Sequence, residues 1–170
     1  MGYVGGNTII KGLIYLYNDY KNLDNNFLLW LKIDENNLNS LPIHMKNLIL
    51  NNKNIIICGS KMNMEYFYKS LDVLLQPSLD DGFNMTTVEA LSCGVPTYIS
   101  RNMGSVEFLK KLTPKNIFNL HEKKSLYRVL TNMNIDNLKR DSLNIKQNFD
   151  KQFQKFNLQN YLSFRDLIEK

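Results

Sequence analysis

Leu71-Asp-Val-Leu-Leu-Gln-Pro-Ser-Leu-Asp-Asp-Gly-Phe-Asn-Met-Thr-Thr-Val-Glu-Ala-Leu-Ser-Cys-Gly-Val-Pro-Thr-Tyr-Ile-Ser100 is the stretch whose reading decides the fold. It reads as strand, acid-and-glycine turn, helix and strand. Val73 to Gln76 is a short apolar run stopped by Pro77, which removes a ladder donor. Gly94 stands where a C-terminal glycine belongs, and Pro96 prevents the helix from continuing. Thr86 and Glu89 have capping-box spacing at the helix start. A buried strand that runs through a glycine turn into a helix N-terminus is a ready anion site, because backbone N–H groups and the helix dipole both face the turn. Asp81 and Glu89 flank that site with carboxylates, which suits a ligand carrying phosphate and hydroxyl groups together, such as a nucleotide-sugar.

Outward from this block, short apolar runs alternate with helical stripes. Residues 2–12 form a glycine-rich segment containing a brief strand at Tyr3-Val4, followed by Leu13, Leu16, Tyr17 and Tyr20 at helical spacing. Phe27 to Ile33 is an apolar run interrupted by Lys32, short enough for a buried strand. An Asn-rich polar stretch leads to a helix over Leu41 to Leu50. Ile55 to Cys58 is a β-branched strand ending at Gly59, and Met64, Phe67, Tyr68 and Leu71 mark the next helix. After the decisive block come a helix around Val106 to Leu112, a strand at Ile117 to Leu120 and a helix through Leu126, Val129, Leu130 and Met133. From Asp136 to Lys170 the pattern is mostly helical, with residues 155–170 expected as a terminal helix. The alternation predicts an α/β fold, a single doubly wound, Rossmann-like parallel sheet of about six strands with helices on both faces. Ligands of such sheets bind at the carboxyl ends of the strands, so the loops after Val4, Cys58 and Gln76 are expected to share one rim.

A chain of 170 residues fits one domain with a real core, and 44% hydrophobic with 22% charged residues is the composition of a globular protein. No apolar run reaches the roughly 20 residues that span a bilayer. Met1 to Gly6 shows neither a basic nor a long apolar leader region, so a cytoplasmic location is expected. Cys58 and Cys93 read as reduced thiols, and the isolated His44 and His121 offer no metal constellation. The net charge of +5 comes mainly from lysines interleaved with acids on helical faces, which argues for a solvated surface and against nucleic acid.

The block Asp72-Val, Gln76-Pro-Ser-Leu-Asp-Asp-Gly-Phe-Asn and Val88-Glu-Ala-Leu-Ser-Cys-Gly-Val-Pro96 resembles the signature of retaining family 4 glycosyltransferases of the GT-B fold. The resemblance extends upstream to Val4-Gly5 with Lys11-Gly12, and downstream to Gly104-Ser-Val-Glu107. It covers nearly the whole chain, so residues 1–170 are expected to form the C-terminal, donor-binding half of such an enzyme. It implies binding of a nucleotide-diphosphate sugar as co-substrate, with no separate cofactor and no metal, for hexosyl transfer to a saccharide or lipid acceptor.

Carried onto this sequence, the resemblance implies that Lys11 meets the diphosphate and that Asp81, in place of the family's glutamate, bonds hydroxyls of the donor sugar. Gly5, Gly6 and Asn7 would belong to the substrate-binding loop, and Lys11 and Asp81 would be the catalytic pair. Gly82, Phe83, Asn84 and Met85 would offer backbone amides, and Thr86 a hydroxyl. Glu89 would accept from the ribose hydroxyls, while Ser60 and Lys61 would line the base. Each residue also has a plainer reading. Glu89 would complete the capping box, Asp81 would be an Asx-turn residue, and Lys11, Ser60 and Lys61 would be solvated loop positions. The sequence departs from the family pattern at Gly6, where the family has an arginine, and at the shorter Asp81. The acceptor-binding half would come from elsewhere, including a separate partner chain. Family members often contact membranes through that other half. The alternative function is a non-catalytic, glycosyltransferase-like subunit or scaffold.

Overall fold

The computed structural model describes residues 1–6, 9–23, 27–59 and 61–168. Six parallel strands form one sheet in the order β3-β2-β1-β4-β5-β6: β1 Gly2–Val4, β2 Leu29–Lys32, β3 Ile55–Cys58, β4 Leu74–Gln76, β5 Thr97–Ser100 and β6 Ile117–Phe118. Among the described residues eight α-helices and one short 3-10 helix, Pro114–Asn116, connect and follow them: α1 Leu13–Tyr20, α2 Glu35–Asn39, α3 Ile43–Leu50, α4 Met64–Lys69, α5 Met85–Ser92, α6 Val106–Leu109, α7 Ser125–Asn132 and α8 Ile135–Ile168. The expected doubly wound α/β sheet is what the chain forms. Residues 155–168 continue α8 without a break.

Alternate side chains of the strands feed two apolar layers. Tyr3, Leu31 and Leu75 face one layer with Leu13, Leu16 and Tyr17 of α1, Met45 and Ile49 of α3, and Leu126 and Leu130 of α7. On the opposite face, Leu74 packs with Phe67 and Tyr68 of α4 and Ala90 of α5. Ile99 joins Leu91, Phe108 and Ile145 in a neighbouring cluster that ties α5, α6 and α8 together. Burial of each such aliphatic or aromatic side chain contributes about 1.5–3 kcal/mol before entropy is charged against it. The helical stripe Leu13, Leu16, Tyr17 and Tyr20 is buried throughout, as its spacing predicts.

Three local expectations change. The Asn-rich stretch holds α2, nucleated where the Asp34 side chain accepts the Asn37 N–H at 2.8 Å. The strand expected through Leu120 ends at Phe118. The N-cap of α5 is Asn84, not Thr86: its side chain accepts from the Thr87 N–H at 2.8 Å. Thr86 therefore lies inside the helix, and Thr86 and Glu89 form no capping box. The C-terminus of α5 follows expectation, with Gly94 at φ 75°. There Gly94 N–H donates to Leu91 O and Val95 N–H to Ala90 O, the paired bonds of a Schellman ending.

Candidate functional site

The strand order reverses between β1 and β4, the two central strands. The helix that follows β1 packs into one apolar layer and the helix that follows β4 into the other, so the two connecting loops diverge and leave a crevice at the carboxyl edge. The loops are stitched together across it. Leu79 N–H donates to Ile10 O at 2.8 Å. Gly12 caps α1 in the left-handed region, at φ 78°, and a Cβ there would sit 1.7 Å from the Pro77 carbonyl oxygen. Only glycine permits both that φ and that approach. The close contact brings Lys11 over the β4 loop, where its ammonium donates to Asp81 Oδ2.

Asp81 is held from two further directions. Asn84 Nδ2 donates to the same carboxylate oxygen while Asn84 Oδ1 accepts from Thr87 N–H, so one side chain joins the acid to the N-terminus of α5. Asn84 is only 4% exposed. From the loop after β5, Gly104 N–H donates to Asp81 O at 3.0 Å and Gly82 O at 2.8 Å. A Cβ at Gly104 would meet Gly82 O at 2.6 Å, so the downstream Gly104 block is physically part of the Asp81 turn. Electrostatically the arrangement is a fixed acid and a cation at a helix N-terminus. The dipole favours an anion there. Lys11 keeps about a quarter of its side chain in contact with solvent, at 28%, so its charge is available to a ligand placed over the turn.

One turn further along α5, Glu89 is exposed yet anchored. Tyr68 of α4, 1% exposed, donates its phenolic O–H to Glu89 Oε2 at 2.7 Å. Burial, and then the neighbouring Glu89 carboxylate, push the Tyr68 phenol far above its ordinary range, so it stays a proton donor. Tyr68 and Glu89 line a pocket of about 370 Å³ that runs between α4 and α5 with Met64 and Cys93.

The structure thus gathers Lys11, Asp81, Gly82, Asn84 and Gly104 at one point, with Thr86 and Glu89 on the adjoining face of α5. Phe83 and Met85 are exposed on the same turn. Gly6 is exposed, its nearest potential neighbour being Asn37 Nδ2 at 3.9 Å from a built Cβ. Gly5 N–H bonds Lys32 O at the end of β2. Lys61 is exposed in the loop after β3, two strands away from β1. Asn7 and Ser60 lie outside the described residues. Two residues escaped the sequence reading. Lys32, 7% exposed, donates to Gly59 O and fixes the loop after β3; its signal was a lysine interrupting an apolar run. Tyr68 enters the sequence reading only as one residue of a helical stripe, and nothing in its spacing distinguishes a phenol that anchors a carboxylate. Among the described residues no group of His, Cys, Asp and Glu is arranged to hold a metal ion, and both cysteines are free thiols. None of the described helices is long and apolar enough to cross a membrane.

Comparison with known proteins agrees with this architecture. The profile of the family described as "Glycosyl transferases group 1" matches residues 3–151. No curated protein matches the chain by sequence. Among solved structures, Anabaena HepE in complex with UDP and glucose superposes with a TM-score of 0.75 at 14% identity, over 97% of this chain and 47% of that one. WaaG, a glycosyltransferase involved in lipopolysaccharide biosynthesis, gives 0.68 at 14% identity, over 88% and 42%. A glycosyltransferase from Rickettsia africae gives 0.68 at 17% identity, over 94% and 46%. The chain therefore spans less than half the length of each of these relatives. At such identities the likeness establishes the fold.

Proposed function

The chain belongs to the group 1 glycosyl transferase family, and from that premise we propose that it binds a nucleotide-diphosphate sugar as the donor half of a retaining glycosyltransferase. The observation that carries the reading is the Lys11–Asp81 pair, held at the N-terminus of α5 at the switch point of the sheet. In this reading the diphosphate lies over the turn. Lys11 shifts from Asp81 toward the phosphate oxygens, and Asp81 turns to the sugar hydroxyls. The amides of Gly82 to Met85 face the same anion, and Glu89 accepts from the ribose. The solved complex of HepE with UDP and glucose is consistent with such a ligand on this fold.

Transfer breaks the bond between the anomeric carbon and the diphosphate oxygen. It forms a bond from the same carbon to an acceptor hydroxyl oxygen on the same face of the sugar, and the hydroxyl proton leaves with the diphosphate. Charge develops on the diphosphate, and once the donor is bound the Lys11 cation and the helix N-terminus stabilise it. Losing one charged donor from such a site typically costs a factor of about 10²–10³ in rate. The glycine at position 6 is thus expected to slow transfer relative to family members with arginine there. The acceptor, saccharide or lipid, binds on a second half supplied by the rest of a longer chain or by a partner chain. Nucleotide-sugars and free thiols both fit a cytoplasmic setting.

Gly6 favours one other reading, a non-catalytic subunit that retains the fold. Calorimetry of the chain with UDP, GDP, ADP and their glucose conjugates tests donor binding. At least one is expected to bind with a dissociation constant at or below about 1 mM, equivalent to about 4 kcal/mol. Lys11→Ala is expected to weaken that binding tenfold or more, about 1.4 kcal/mol. A folded chain that binds none of them overturns the donor-site reading. Turnover only after addition of an acceptor-binding half separates the enzyme half from the subunit.

A further inference from the structure

A second pocket lies at the opposite edge of the sheet from β3, away from the Lys11–Asp81 crevice. β6 is only two residues long and forms the sheet edge. α7 and the first turns of α8 flank it without covering it, leaving a cavity of about 750 Å³. That volume is within the range of small-molecule sites. Its apolar lining includes Tyr98 of β5, Val129 of α7 and the edge of the largely buried Phe118 of β6. Its rim is basic: Arg101 after β5, Lys115 before β6, Arg128 on α7 and Arg140 on α8 all line it. Two acids, Glu122 and Asp141, stand against these four cations.

The two acids are partly occupied. Glu122 accepts from Arg128 at 3.4 Å, and Asp141 accepts from Asn116 Nδ2 at 3.2 Å. Arg140 donates to Asn137 Oδ1, a neutral acceptor. Arg101 and Lys115 make no side-chain bond among the described residues. An excess of cations drawn from four separate elements is not what helix-surface spacing alone produces. A second observation points the same way. Thr113 lines the pocket, is 4% exposed, and its Oγ1 has no hydrogen-bond partner. Buried hydroxyls are normally satisfied, so an orphaned one in the wall marks a polar position that the surrounding chain leaves unfilled.

We propose that the β6-edge pocket is a second binding site, for a small phosphomonoester whose flat or apolar body lies on Tyr98 and Phe118 while its phosphate meets the arginine rim. Guanidinium groups match phosphate oxygens in bidentate geometry, and the aromatic lining accepts a ring. The ligand is distinct from the donor, because the pocket shares no residue with the Lys11–Glu89 rim. The proposal stands whether or not that rim binds a nucleotide.

Phenyl phosphate is the probe, followed by amide NMR on the whole chain, with phenol and inorganic phosphate as controls. Phenyl phosphate is expected to shift the amides of Thr113, Asn116 and Phe118, and to bind at least tenfold more tightly than either control. The double variant Arg128→Gln, Arg140→Gln should weaken it at least tenfold, while UDP titrations of the same variant stay unchanged. Both arginines are exposed, so their replacement leaves the core intact. Asp141→Asn keeps an acceptor for Asn116 but removes a negative charge, and should tighten binding a few-fold. A merely structural cavity has no reason to respond with opposite signs to these two changes. Absence of shifts at the three amides overturns the proposal. So does phenyl phosphate binding that is indifferent to both variants, or equal binding of inorganic phosphate.

Discussion

Tyr68 donates its phenolic hydrogen to Oε2 of Glu89 at 2.7 Å, joining α4 to α5 beneath the proposed ribose position. One carboxylate oxygen is thereby fixed by a buried donor, on a residue that lines the pocket. In the proposed function Tyr68 acts through Glu89, as a positioning residue. Tyr68→Phe removes that bond at constant ring volume, a change of about 0.5–1.5 kcal/mol. Affinity for UDP should fall by a factor between about 2 and about 13, as RT ln of that ratio requires. Affinity for 2′,3′-dideoxy-UDP should barely move, because it lacks the hydroxyls that Glu89 would hold. Equal losses for the two nucleotides would assign Tyr68 a structural role alone. Calorimetry on both proteins reads this directly.

The helix cap gives a stability test. Asn84 satisfies Thr87 N–H and orients Asp81, so Asn84→Ala should cost about 1–2 kcal/mol. Thr86→Ala, inside the helix, should cost less than half as much. Urea midpoints at constant slope measure both. The reverse order would restore Thr86 as the cap.

Gly12 is the hinge on which Lys11 is placed. Its φ of 78° and the 1.7 Å approach to Pro77 O leave no room for a Cβ. Gly12→Ala should therefore destabilise the domain by at least about 2 kcal/mol, combining left-handed strain with displacement of the loop. Nucleotide binding should be lost even under conditions where the variant remains folded. Circular dichroism with calorimetry separates the two effects.

Alkaline pH should unfold the protein through its buried phenols. Burial raises the values of Tyr3, Tyr20, Tyr68 and Tyr98 above the ordinary 10.0. Below pH 10.0 these groups are neutral in both folded and unfolded chains, and their stabilisation is fully present. Above it the unfolded chain ionises first, so stability declines as pH rises toward the folded values. Tyrosinate absorbance in native and urea-unfolded protein, with urea midpoints across the same range, should show delayed ionisation and falling stability together.

The parallel sheet was legible because each strand is a short apolar run and each helix an apolar stripe. Ile55 to Cys58 and Leu13 to Tyr20 needed no tertiary information. The turn from Asp81 to Glu89 was legible for a different reason: glycine, acids and a helix start fall together there. Cap assignment failed because a Thr-x-x-Glu spacing and an Asn two residues earlier compete for the same helix start. Packing decided in favour of the buried Asn84. α2 was hidden by its composition, since asparagine is a poor interior helix residue and only Asp34 announces the start. The pairing of Lys11 with Asp81 spans 70 positions of sequence, and the tertiary contacts of Gly12 with Pro77 and of Ile10 with Leu79 bring the two together. The pocket at β6 has no linear signature, because its rim is assembled from four elements.

The central claim is that the crevice between the β1 and β4 loops is the donor site. Amide NMR of the isolated chain titrated with UDP-glucose, UDP, GDP and ADP tests it most directly. At least one of these should shift the amides of Lys11, Gly82 to Met85 and Glu89 in a saturable manner, and Lys11→Ala should raise the concentration needed at least about tenfold. Saturable shifts confined to other surfaces, or none in a chain that is demonstrably folded, would contradict the account.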